Sequence, residues 1–106
     1  MDQDRRKDRR VPVNLWIEAE TGDELYFQRA ANLSAGGAYF AQTVPQAPGT
    51  QVLLRFQLPG DAAEISCKGE IVSAPEKGLG MSVRFLDLSE GDKGRIEQLI
   101  ARLAPS

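Results

Sequence analysis

The stretch VPVNLWIEAE, Val11–Glu20, alternates along its length. Val11, Val13, Leu15, Ile17 and Ala19 share one side, while Asn14, Trp16, Glu18 and Glu20 share the other. Successive side chains of an extended chain point to opposite faces, so this period of two predicts a β-strand buried on one face. Thr21-Gly22-Asp23 then turns the chain.

Further along, the same signal repeats. LYFQRAA (Leu25–Ala31) and GAYFA (Gly37–Ala41) are short and rich in aromatics, and Gly36-Gly37 between them marks a bend where side chains would obstruct. VPQAPG (Val44–Gly49) reads as a loop from its prolines and glycine, and Pro59-Gly60-Asp61 as a turn. Between these, TQVLLRFQL (Thr50–Leu58) sets Val52, Leu54, Phe56 and Leu58 on one side. AEISCKGEIVS (Ala63–Ser73) aligns Ile65, Cys67 and Ile71, and LGMSVRFLD (Leu79–Asp87) aligns Leu79, Met81, Val83 and Phe85. About six short strands at this spacing predict an all-β barrel or sandwich, with Cys67, Met81 and Phe85 in its core. The period then changes. Ser89-Glu90-Gly91-Asp92 has the form of an N-cap with acidic residues in the first turn, and Ile96, Leu99, Ile100 and Leu103 follow at helical spacing. This amphipathic helix is expected to cover an open barrel end or an exposed sheet face, with Trp16 a candidate for what lies beneath.

Composition narrows the function. The chain has 106 residues, expected to form one domain, with 13 Lys and Arg against 15 Asp and Glu. Its basicity is local: five cations, Arg5, Arg6, Lys7, Arg9 and Arg10, stand within six positions, ahead of an acidic body. A basic arm on an acidic domain suits an anion of limited size better than a broad nucleic-acid face. The absence of histidine and the single Cys67 exclude an internal disulfide and a zinc site, and remove the commonest general base, so an enzyme is not expected. No apolar run is long enough for membrane insertion or a secretory signal, and a cytoplasmic location is expected.

Two clusters carry candidate chemistry. Arg5, Arg6 and Arg10 lie in the arm, and NLSAGG supplies Asn32, Ser34, Gly36 and Gly37 between the second and third strands. Alone, the first reads as a solvated basic tail and the second as a glycine-rich turn. Together they suit a purine nucleotide: arginine offers a planar fork for phosphate or for the acceptor edge of guanine. Asn32 and Ser34 add short hydrogen-bonding groups, and Gly36-Gly37 allows close approach to the backbone. Arg84, Arg55 and Lys68 read as solvated side chains.

At these residues the chain resembles the PilZ family, in particular its single-domain deltaproteobacterial members. Arg6-x-x-x-Arg10 resembles the family's RxxxR element and Asn32-x-Ser34-x-x-Gly37 its [D/N]xSxxG element, with GMSVRFLDLSE (Gly80–Glu90) and the closing helix similar as well. The resemblance covers nearly the whole chain. It implies a six-stranded antiparallel β-barrel closed by a C-terminal α-helix over residues 11–104, preceded by a basic arm at 1–10. It further implies a receptor, not an enzyme, that binds cyclic di-GMP without metal and signals to an unidentified effector protein. In that role Arg6 and Arg10 would grip guanine edges and phosphates with Arg5 supporting, and Asn32, Ser34, Gly36 and Gly37 would form the barrel-side wall. The arm is expected to order on binding. Nucleic acid is not expected as a partner, and a homodimer is left open. The alternative is a protein-interaction module of the same fold that binds no nucleotide and acts in motility or polarity control.

Overall fold

Alternation becomes strand wherever one face can be buried, and the pairing decides how the strands close. The computed structural model describes residues 10–22, 24–43, 46–61, 63–73 and 77–103, with Tyr26 described by its backbone alone. Six strands, β1 (Val11–Thr21), β2 (Glu24–Leu33), β3 (Gly37–Phe40), β4 (Gln51–Gln57), β5 (Glu64–Ser73) and β6 (Met81–Phe85), precede a helix α1 (Glu90–Leu103). All pairings are antiparallel, in the closed order β1-β2-β3-β6-β5-β4. Two non-sequential pairings make this a barrel and not a sandwich. β1 meets β4 through Glu18↔Arg55, Ala19↔Leu54 and Glu20↔Leu53, and β3 meets β6 from Gly37↔Arg84 to Phe40↔Met81.

The expected inward residues form one core: Val11, Leu15, Ile17, Ala19, Val52, Leu54, Phe56, Leu58, Ile65, Cys67, Ile71, Met81 and Val83 are buried, with Leu33 and Phe40 fully enclosed. Each such large side chain contributes about 1.5–3 kcal/mol on leaving water. Phe85 is only half-buried, at the barrel's margin, stacked on Phe56 with ring centroids 6.0 Å apart. Leu79, expected on the apolar face of the last strand, is exposed, because β6 begins only at Met81 and Leu79 belongs to the preceding turn. A bulge between Pro12 and Leu15 shifts the β1–β2 register, so Val13 and Asn14 lie across an irregular step.

The helix starts as its sequence requires. The Ser89 hydroxyl accepts from the Asp92 amide at 3.1 Å, with Glu90 and Asp92 in the first turn where the helix dipole favours negative charge. Ile96, Leu99 and Ile100 enter the core, while Leu103 stays exposed. Arg95 ties the helix to the β4–β5 turn, donating to Asp61 Oδ2 at 2.8 Å, Asp92 Oδ1 at 2.7 Å and the Ala63 carbonyl at 2.6 Å. Trp16 is not beneath the helix. It is 59 % exposed on the outer face of β1, with the Arg29 guanidinium 5.4 Å from its ring centroid. The helix meets the core through the barrel's interior residues, and the outward face of β1 never turns toward it.

Candidate functional site

Pairing of the first two strands joins the two candidate clusters. The register Val11↔Leu33 and Pro12↔Asn32 brings the residue preceding β1 beside the end of β2. There Arg10 Nη1 donates to Asn32 Oδ1 at 3.1 Å, and both groups are accessible at the surface. Although its donor is a cation, a hydrogen bond this open to water exchanges with hydration of both groups and is worth about 1 kcal/mol. It engages one of the five donors of the Arg10 fork and leaves the others for an incoming acceptor.

Beyond Asn32 the chain turns tightly. Ser34 is fully buried and its hydroxyl acts inside the turn, accepting from the amides of Gly36 at 3.2 Å and Gly37 at 3.1 Å and donating to the Gly37 carbonyl at 3.3 Å. The Ser34 amide donates to the same carbonyl at 2.8 Å. Ser34 therefore braces the turn that displays Gly36, whose carbonyl accepts from the Phe85 amide at 2.8 Å. Gly36 itself is exposed. The requirement for glycine at 37 comes from the neighbouring strand: a Cβ there would run into the backbone carbonyl of Val83. Close approach of β3 to β6 explains this residue whether or not a ligand also lies near.

Cross-strand register extends the surface. Asn32 pairs with Tyr39 and Tyr39 with Ser82, while Gly37 pairs with Arg84 and Arg84 with Glu70. Arg84 Nη2 donates to Glu70 Oε1 at 2.7 Å, placing an exposed guanidinium one strand from Gly37. Tyr39, half-buried, was not singled out by its sequence context. Its signal was available in the period of two, which places residue 39 on the same face as residue 37. On the helix side of the turn lies an open depression of about 320 Å³ lined by Ala35, Gly36, Phe85, Leu86, Leu88, Glu90 and Lys93.

The structure thus gathers Arg10, Asn32, Ser34, Gly36 and Gly37 at one end of the first strand pair. Arg5 and Arg6, with the rest of residues 1–9, lie outside the described residues. Guanidinium, amide and backbone donors dominate this surface. Among the described residues no three His, Cys, Asp or Glu side chains converge as they would around a metal. Such a donor set suits an anion with flat acceptor edges.

A family model described as the PilZ domain matches residues 4–102. The chain belongs to the PilZ family. Its fold is similar to that of the Bacillus subtilis inhibitor of motility, MotI/DgrA, with a TM-score of 0.76 and 19 % identity, covering 88 % of this chain and 48 % of that one. This PilZ domain therefore spans about half the length of that protein. It is also similar to the PilZ domain with c-di-GMP of YcgR from Escherichia coli, with a TM-score of 0.70 and 18 % identity over 93 % of this chain and 91 % of that one. For the PilZ domain of CeSA from a cellulose-synthesizing bacterium the TM-score is 0.66 and the identity 20 %, over 90 % and 97 %. At these identities the likeness is one of fold. No match is found among curated protein sequences. No helix among the described residues is long and apolar enough to cross a membrane.

Proposed function

We propose that this PilZ domain is a receptor for cyclic di-GMP that passes occupancy of its site to a protein partner and catalyses no reaction. The observation that carries this is the Arg10–Asn32 hydrogen bond, which brings the residue ending one motif against the residue opening the other. Arg6 and Arg10 would take the guanine edges and phosphates, with Arg5 supporting. Asn32 and Gly36 would meet the ligand from the barrel, and Ser34 and Gly37 would hold the turn in shape. The solved YcgR domain with c-di-GMP supports the choice of ligand through fold and family.

Coupling to the partner would come from the arm. Residues 4–10 carry almost nothing apolar, so their contacts with the barrel need charge to hold them. A dianion bridging the arm's arginines to Asn32 supplies it, folding the arm across the barrel and creating a new surface. Ordering these residues opposes binding, so the affinity is expected near micromolar and falling with salt. Calorimetric titration with cyclic di-GMP tests the receptor assignment. Hydrogen exchange tests the coupling, with amides of residues 5–12 expected to gain protection and those of α1 to change little. No heat and no protection would leave the protein-interaction module as the better reading.

A further inference from the structure

β2 runs from Glu24 to Leu33, yet it meets β3 only through Asn32↔Tyr39 and Leu33↔Ala38. From Glu24 to Ala31 the side of β2 turned away from β1 has no strand partner among the described residues. Unpaired amides and carbonyls in a row form a template for another strand, and proteins normally obstruct such an edge with proline, lysine, a bulge or an inward charge. β1 does so where its pairing with β4 has not yet begun: Pro12 and the bulge before Leu15 interrupt that edge. β2 has none of these devices between Leu25 and Ala31, and its pairing with β1 is regular from Leu25 to Ala30.

The outer face of that edge is apolar. Leu25 is 57 % exposed and Phe27 64 %, beside the exposed Trp16 of β1, and the one charge between Leu25 and Ala31 is Arg29. Where β3 ends, a depression of about 700 Å³ lined by Arg29, Ala30, Ala31, Ala41 and Gln42 leaves room alongside the edge. On the inward side, Gln28 Oε1 is a buried oxygen without a hydrogen-bond partner among the described residues.

We propose that two copies of this chain associate by antiparallel pairing of their β2 edges about a two-fold axis at Gln28. An axis at Gln28 pairs Leu25–Ala31, all of the stretch Glu24–Ala31 but its first residue, and of the registers that pair so much of it this one sets the two buried Gln28 oxygens opposite each other's amides. Twice over, it sets Phe27 opposite the partner's Arg29, whose guanidinium lies over Trp16 in the single chain and exchanges that ring for the facing Phe27. Leu25 stands opposite the partner's Ala31. The two Gln28 side chains face each other, each with an amide that donates to the other's buried oxygen, which has no partner among the described residues. One continuous sheet then runs through both barrels, and its joint abuts Asn32.

Sedimentation velocity of the full chain without any nucleotide tests this independently of the receptor assignment. The wild type is expected to be dimeric, and Phe27→Lys, which places a charge at an exposed position, to raise the dimer dissociation constant at least tenfold with an unchanged far-ultraviolet circular dichroism spectrum and a midpoint lowered only by the lost dimerisation. Gln28→Cys reads the register: mild oxidation is expected to link it as a disulfide dimer at least tenfold faster than Leu25→Cys, which has Ala31 opposite it. A wild type monomeric up to its solubility limit, a dimer unmoved by Phe27→Lys, or equal cross-linking at 25 and 28 overturns the proposal. A monomer that binds an extended peptide at this edge overturns it in favour of a different partner.

Discussion

Arg10 and Asn32, 22 positions apart in the chain, are joined side chain to side chain at 3.1 Å across the first strand pair. The bond is surface-accessible and weak, so its residues are free to exchange each other for a ligand at little loss of stability. Arg10→Ala, and Arg6→Ala in the arm, are expected to weaken cyclic di-GMP binding by about 1.5–3 kcal/mol, roughly ten- to a hundredfold, by loss of charge-assisted bonds. The thermal midpoint of the free protein should hardly move. Calorimetry and a melt on the same samples check both statements, and equal affinity in all three proteins would remove the arginines from the site.

Ser34 and Gly37 are expected to behave in the opposite sense, acting on stability first. Ser34→Ala deprives the Gly36 and Gly37 amides of their acceptor, a loss of about 1–3 kcal/mol. Gly37→Ala drives a methyl group against the Val83 carbonyl and forces β3 away from β6, with an expected loss of about 2–4 kcal/mol. Urea denaturation reads both. A Gly37→Ala protein as stable as wild type would mean that β3 can shift without strain.

Cys67 is buried among core residues, and burial pushes its thiol up to about 12, with Asp87 and Asp92 adding to the effect. Only the thiolate reacts readily. At about pH 8 a disulfide reagent is therefore expected to leave the folded protein unlabelled and to label it stoichiometrically in denaturant. Rapid labelling of the folded chain would show that β5 opens locally.

Asp61 links acidity to the helix. Its carboxyl is held below the ordinary carboxylate range, first by the Ala63 amide and then by the Arg95 guanidinium. A lowered folded-state value means the unfolded chain takes up the proton more readily. The stabilisation is therefore complete above the unfolded value of about 3.9 and is lost as pH falls through the folded one. Thermal midpoints measured from about pH 6 to pH 2 should fall less steeply in Asp61→Asn than in wild type. Parallel profiles would place the acid sensitivity elsewhere.

How much of this could be read from the chain depended on the range of the forces involved. Val11, Leu15, Ile17 and Ala19 announced their burial because alternation is local, and Ser89 announced the helix because a cap bonds only three residues ahead. Trp16 misled because an aromatic on the polar side of a strand invites a cover, whereas here Arg29, from the neighbouring strand, lies over its ring. Leu79 misled because alternation continues through a turn that no longer belongs to the sheet. Asn32, Ser34, Gly36 and Gly37 stood out by type and spacing. That Ser34 would be enclosed within its turn, and that Gly37 would answer to Val83, depended on β6 arriving from 47 positions away in the pairing Gly37↔Arg84 and its neighbours, which no local pattern reveals. Alternation left barrel and sandwich open because the β1–β4 pairing that decides between them is long-range, and it was the resemblance carried by the two motifs that pointed to the barrel.

The same long-range pairing governs when the protein becomes whole during synthesis. β1 waits for β4 before the wall can close, and the turn at Ser34–Gly37 waits for Val83 and Phe85, near the end of the barrel sequence. Chains dominated by such distant partners fold slowly, in about milliseconds to seconds, since each loop must close before its contacts repay the ordering. On the ribosome, a nascent chain stopped before Met81 should therefore remain protease-sensitive throughout, and resistance should appear in a single step once β6 and α1 have emerged. Maturation would then be all-or-none, with no half-built barrel presenting a finished face to a signal.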